Sequence, residues 1–238
     1  MENILELKTI NELQEYSFYI PSYQRGYRWS AKEVEDLLND ISEFKPKQVG
    51  DSEEKTWYCL QPIVVKKRDD EQFEVIDGQQ RLTSIYLILN YLNSVYVEDS
   101  RSKLFDLNYE TRSNSSTFLK QLVKDISSDE NIDFHYISTA YKTICDWFDK
   151  PNFNRNEFES KFKFNAKVIW YESNEDDSIA IFTRINIGKI PLTNSELIKA
   201  LFLNSSNFAK NFNDKIRLKQ LEISTEWDLI EHSLQNNK

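Results

Sequence analysis

The stretch "QFEVIDGQQRLTSIYLILNYL", residues 72–92, constrains the fold more than any other. An apolar, strand-like run ends at Ile76, and a run with helical spacing (Leu82, Ile85, Leu89, Leu92) begins a few residues later. Between them stand Asp77-Gly78-Gln79-Gln80-Arg81. A strand-to-helix connection needs only about two to six residues, and most polar types would serve. Two glutamines and an arginine are therefore not demands of the turn. Only four Gly and five Pro occur in 238 residues, which argues against a loop-rich or all-β chain and favours a helix-heavy one. The fold class read from this is α+β.

The rest of the chain supplies elements of both kinds. Residues 4–16 read as an extended piece followed by a helical turn. Ile20, before Pro21, is held extended, and Gly26 is read as allowing a turn. Ser30 with Glu33 forms a capping box, and the helix after it carries Val34, Leu37, Leu38 and Ile41 on one face. Residues 57–67 and 72–77 read as two strands joined by an acidic tip at 69–71. The basic run Lys66-Lys67-Arg68 abuts that tip, so it belongs to a solvated hairpin end. Residues 98–116 are polar and mixed, and 117–149 read as helical. A short helix fits 153–164, and "AKVIWYE", 166–172, is a strand. Residues 174–178 cap a helix through Ile179, Phe182 and Ile185. A second helix, capped by Thr193 or Asn194, carries Leu197, Ile198, Leu201 and Phe202. The last segment, "EWDLIEHSLQNNK", is amphipathic and has no Gly or Pro terminator, as expected of a helical region that continues.

Composition removes several functions. The net charge of -9 means that DNA would have to be met by a local basic patch rather than by the chain as a whole. Two cysteines, Cys59 and Cys145, and two histidines, His135 and His232, cannot supply a zinc cluster at the usual spacings. Both cysteines read as buried thiols. A nicking nuclease lacks its histidine–metal cluster. Met1-Glu2-Asn3 opens no signal pattern and no stretch reaches membrane-spanning length, so a cytoplasmic location and no membrane partner are expected.

Three stretches can carry chemistry. At "DGQQR" a helix start presents unpaired N–H groups and a positive dipole end to an anion. Gly78 allows close approach, and Arg81 offers a bidentate phosphate contact. Gln79 and Gln80 suit orienting a water or ribose, and Asp77 suits a metal ion, a water or a cap. The plainer reading makes Asp77 an N-cap and Arg81 a surface charge. At "PSYQRGYRWS", arginines between Tyr23, Tyr27 and Trp29 could bind phosphate and stack on a base, or the aromatic residues could anchor a loop to the core. At "FTRINIGKIPLTNSELIKA", Arg184, Asn186 and Lys189 surround Gly188, or a solvated joint links two helices.

Taken together and in this order, "IPSYQRGYRW", "VIDGQQRLTSI" and "IFTRINIGKIPLTNSELIKALF" resemble the N-terminal domain of GmrSD-type modification-dependent restriction and phage-defence proteins, over roughly residues 10–205. The resemblance implies a ParB/sulfiredoxin-like core, with a small mixed sheet and a large helical addition. It further implies a sensor domain that binds and hydrolyses a nucleoside triphosphate with Mg²⁺. Asp77, Gln79, Gln80 and Arg81 would be catalytic and Asp77 would hold the metal. Tyr23, Gln24, Arg25, Gly78, Arg81, Asn186 and Gly188 would bind the nucleotide. A nuclease domain or subunit, modified DNA and a second copy of the chain are the implied partners. The alternative is a non-catalytic module recognising modified DNA. Relatives often carry Pro after YQR where this chain has Gly26, and a Gly where it reads Leu60-Gln61-Pro62-Ile63. They often carry an HNH nuclease as well, whose histidines this sequence does not supply. The expected organisation is a core with both early motifs at 1–97, a helical insertion at 98–164, a strand and helices completing the core at 165–204, and the start of a C-terminal helical region at 205–238.

Overall fold

The structure, a computed structural model, describes residues 3–50, 54–111, 113–122, 132–151, 153–186, 199, 202–203 and 213–235. Six strands form one mixed sheet: β1 (Ile4–Thr9), β2 (Ser17–Ile20), β3 (Tyr58–Lys67), β4 (Phe73–Asp77), β5 (Asp106–Tyr109) and β6 (Ala166–Glu172). Their order across the sheet is β1-β6-β3-β4-β2-β5. The pairs β1–β6 and β3–β4 are antiparallel, while β2–β4, β2–β5 and β3–β6 are parallel. The α+β class is thus what the chain adopts.

Helices α1 (Ile10–Leu13), α2 (Ala31–Glu43), α3 (Gln79–Ser94), α4 (Ser113–Lys120), α5 (Ile132–Phe148), α6 (Arg155–Ser160) and α7 (Ser178–Asn186) follow in chain order, and a last helix covers Asn213–Gln235. One sheet face packs Phe18, Ile63, Val65, Phe73, Val75, Val168 and Trp170 into a large core with α2, α3 and α5. Alternate residues of the same strands, Val64 and Ile76, reach the other face. There they meet Tyr23, Ile179, Ile181, Phe182 and Leu203 in a smaller core. This two-sided burial explains the near-continuous apolar runs of β3 and β4.

Several sequence readings meet their structure here. The capping box at Ser30 and Glu33 forms, the hairpin turns at 68–72 with Glu71 in a left-handed conformation, and Asp177 caps α7 by accepting from the Ala180 N–H at 2.9 Å. Others change. Residues 98–116 are not merely mixed: they supply the edge strand β5. The helical reading of 117–149 resolves into α4 and α5. Helix α3 is buried on nearly every side rather than amphipathic, because it lies between the sheet and α5. Cys145 is buried, but Cys59 is exposed. It sits where β3 runs beside β6 alone, before β4 joins at Val64. The helix expected after Thr193 or Asn194 lies largely outside the described residues.

Candidate functional site

The strand-to-helix turn is built by a glycine and a bulge. Strand β4 ends at Asp77, in register with Val64. Gly78 then adopts φ 98° and ψ 8°, a left-handed conformation costly for any residue with a Cβ. A side chain there would also press within 3.2 Å of the Ile63 Cα and 3.3 Å of the Pro62 carbonyl oxygen. That backbone comes close because β3 shifts register between Leu60 and Ile63, the kind of site where a strand tolerates proline. Helix α3 starts at once, and among the described residues no side chain caps it.

The DGQQR side chains point three ways. Gln79 is buried, and its amide donates to the Tyr109 hydroxyl at 3.3 Å. The Gln80 carbonyl oxygen accepts the Arg28 N–H at 2.7 Å, and its amide donates to the Gly26 carbonyl at 2.8 Å. The same amide also donates to the Gln79 side-chain oxygen. Arg81 donates to the Pro62 carbonyl at 2.8 Å and to the Gln61 side chain. Burial pushes its pKa down, and Asp77 opposes that shift.

The Tyr23-Gln24-Arg25 loop is sewn to this turn. The Gln24 amide donates to the carbonyls of Val75 and Ile76, at 3.2 and 2.7 Å. Tyr23 donates to Glu74 at 3.1 Å and packs on Phe182 at 5.2 Å between ring centroids. The Ser22 N–H donates to Glu110 at 2.7 Å, and its carbonyl accepts from Ser224 on the last helix at 2.7 Å. Half-buried Arg25 therefore lies between neighbours bonded to positions 76 and 80, one on each side of Asp77-Gly78. Tyr27 shares a hydrogen bond of 2.8 Å with Ser84, and burial drives its pKa upward.

Two of the three motifs are thus joined by direct hydrogen bonds, and the third touches them through Phe182 of α7. Asn186 is the last residue of α7; Gly188 lies outside the described residues. Arg184 is exposed and paired with Glu175 at 2.7 Å.

Sequence reasoning missed Asp133 of α5. This carboxylate is 6% exposed and forms an ion pair with Arg28, whose guanidinium also lies 5.5 Å from the Tyr136 ring centroid. It fills the space over Gly26, where an added Cβ would sit 1.9 Å from its Oδ1. Gly26 is not in a left-handed conformation, so room for Asp133, not turn geometry, is what requires glycine. An acid at a helix start gave no signal of this. No group of three or more His, Cys, Asp or Glu is placed to hold a metal ion among the described residues, and no helix among them is long and apolar enough to cross a membrane.

Residues 1–203 match the family model of the GmrSD restriction endonuclease N-terminal domain. The chain belongs to that family. An uncharacterised protein of Methanocaldococcus jannaschii is 22% identical over 92% of this chain, and the match takes in 45% of that protein. The chain thus spans less than half the length of that curated relative.

Proposed function

We propose that this chain is the nucleoside-triphosphate-binding and hydrolysing sensor domain of a DNA restriction system that controls a nuclease. The observation that carries the reading is the stitching of the Tyr23-Gln24-Arg25 loop across an uncapped helix start. Gln24 holds one side of the Asp77-Gly78 turn and Gln80 the other, so Arg25 is anchored next to N–H groups that no described side chain caps and a positive dipole end. A triphosphate suits such a place.

In this reading Arg25 neutralises phosphate charge and the amides after Gly78 cradle it, while Arg81, expected to bind phosphate too, donates to Pro62 and Gln61 and would reach a phosphate only with its remaining N–H groups. Asp77 is the carboxylate that would hold Mg²⁺, which at nucleotide sites takes one or two carboxylates with phosphate oxygens and water. The ion would neutralise phosphate charge. Gln79 and Gln80 were expected to orient the attacking water. Their amides are already committed within the protein, so we assign them to positioning the loop and the helix start. Asn186 and Gly188 remain proposed nucleotide contacts at the end of α7 and beyond.

The test is phosphate release from nucleoside triphosphates with Mg²⁺. Arg25→Ala is expected to lower it about tenfold to a hundredfold, the loss of one charge-assisted contact. Equal activity in Arg25→Ala would remove it from the site. Binding of modified DNA that weakens steeply with salt, with no nucleotide binding at all, would favour the non-catalytic alternative.

A further inference from the structure

The last helix, Asn213–Gln235, is seated on the domain by polar side chains. Gln220, Ser224 and Asp228 share one face, at the i, i+4, i+8 spacing of successive turns. Gln220 is buried and donates to the Leu203 carbonyl at 2.6 Å. Ser224 is buried and donates to the Ser22 carbonyl at 2.7 Å. Asp228 accepts from the buried Lys199 ammonium at 2.8 Å and from the Thr111 hydroxyl at 3.1 Å. Ile223 packs beside them on the smaller core, whereas Leu218, Leu221, Leu229 and Ile230 are exposed. Directed polar bonds therefore carry much of this seat. Each fixes a geometry but adds little net stability over a bond to water, so the helix can be released at small cost. The bonds also converge on one place. Tyr109, Glu110 and Thr111, at the end of β5 and just beyond it, reach three different elements. The Tyr109 hydroxyl accepts from Gln79 and shares a hydrogen bond of 3.0 Å with Thr83, both in the first turns of α3. The Glu110 carboxylate accepts the Ser22 N–H at 2.7 Å, and Thr111 reaches Asp228. Ser22, three residues before Arg25, is thus clamped through both its backbone groups: its N–H by Glu110 and its carbonyl by the last helix.

We propose that the last helix is a latch on the Tyr23-Gln24-Arg25 loop, so that seating of the helix and ordering of the loop are one event. Glu110 and Ser224 are positioning residues that act through the Ser22 backbone. The Asp228 contacts to Thr111 and Lys199 hold the same helix face one turn further on. The regulatory part rests on the reading of this loop as a triphosphate site. A nucleotide that needs Arg25 in place favours the seated helix, and the seated helix strengthens nucleotide binding by the same factor. Helix 213–235 is then the element in which occupancy of the site is felt.

Hydrogen exchange of the 238-residue chain, read by mass spectrometry, tests this, because local opening of each segment is reported separately. Without nucleotide, Ser224→Ala is expected to raise exchange severalfold in 213–235 and in 22–28 together. Asp228→Asn is expected to repeat that pattern, and decides the matter should Ser224→Ala fail to fold. Thr225→Ala is expected to loosen neither segment, since that exposed hydroxyl donates within its own helix, to the Leu221 carbonyl at 2.9 Å. With Mg²⁺ and ATP or GTP added to the parent protein, exchange in 213–235 is expected to fall, and Ser224→Ala is expected to weaken nucleotide binding severalfold. Loosening of the helix with the loop unchanged in both variants would overturn the latch. Nucleotide binding that leaves 213–235 unchanged would overturn the coupling. If neither nucleotide binds the parent, the triphosphate reading fails, and the paired loosening without nucleotide still decides the latch.

Discussion

Helices α2 and α3 begin in opposite ways. At α2 the carboxylate of Glu33 turns back to accept from the Ser30 N–H, at 2.8 Å, and from the Ser30 hydroxyl. At α3 the residue before the helix is a left-handed glycine, no described side chain caps the first turn, and the glutamines that could reach back are directed to Tyr109 and to the 26–28 loop. The first helix start is closed by its own side chains. The second is braced by its neighbours, through Gln24 and Gln80, rather than by a cap of its own. A glycine N-cap such as Gly78 forgoes only a few tenths of a kcal/mol of stabilisation relative to Ser, Thr, Asn or Asp.

The contrast can be broken most severely at Gln80. Replacing it with Leu strands the Arg28 N–H and the Gly26 carbonyl, each costing about 1–3 kcal/mol if left unpaired. Chemical denaturation should show a loss of about 2 kcal/mol or more, with phosphate release lost together with it. Gly78→Ala comes next, at about 1–3 kcal/mol for a Cβ held in a left-handed conformation; calorimetry should show the loss, and nucleotide should protect the variant less than the parent. Ser30→Ala should cost only about 1 kcal/mol and leave nucleotide binding unchanged, because the closed helix start has no ligand to serve. If Ser30→Ala impaired binding as much as Gly78→Ala, the distinction between the two starts would collapse.

The smallest effect concerns pH. The hydrogen bond from Ser30 holds the Glu33 pKa below its ordinary value, and Thr9 does the same for Glu12 at the start of α1. A carboxylate depressed in the folded state contributes stability above its unfolded pKa, and loses it as pH falls through the folded one. Stability should therefore decline on acidification below about pH 4.5, and Glu33→Gln should flatten part of that decline. Unfolding curves at neutral and acid pH would measure it.

Much of this was legible in the sequence because it was local. Strands at 58–67, 73–77 and 166–172, the Ser30 capping box and the turn at Gly78 all follow from short-range patterns and residue chemistry. The two early motifs were legible as motifs, but not as one unit. Gln24 and Gln80 act through partners 52 and 54 positions away, and no spacing rule reports such a bond. The edge strand β5, Asp106–Tyr109, does alternate polar and apolar residues, but it was hidden because four residues are the shortest run that pattern can mark and polar stretches flank it on both sides. Cys59 was misread because burial of a strand residue depends on which neighbours run alongside, and that is set by topology.

Gly26 carries one more consequence. Its missing side chain is a receptacle for the Asp133 carboxylate rather than a hinge. Loop and helix, more than a hundred positions apart, are therefore tied by volume: a side chain gained at 26 displaces the Asp133 carboxylate, and with it the counter-charge of Arg28. A change in the loop at 26 is thus felt first in a helix it never meets along the chain, at the Arg28–Asp133 ion pair.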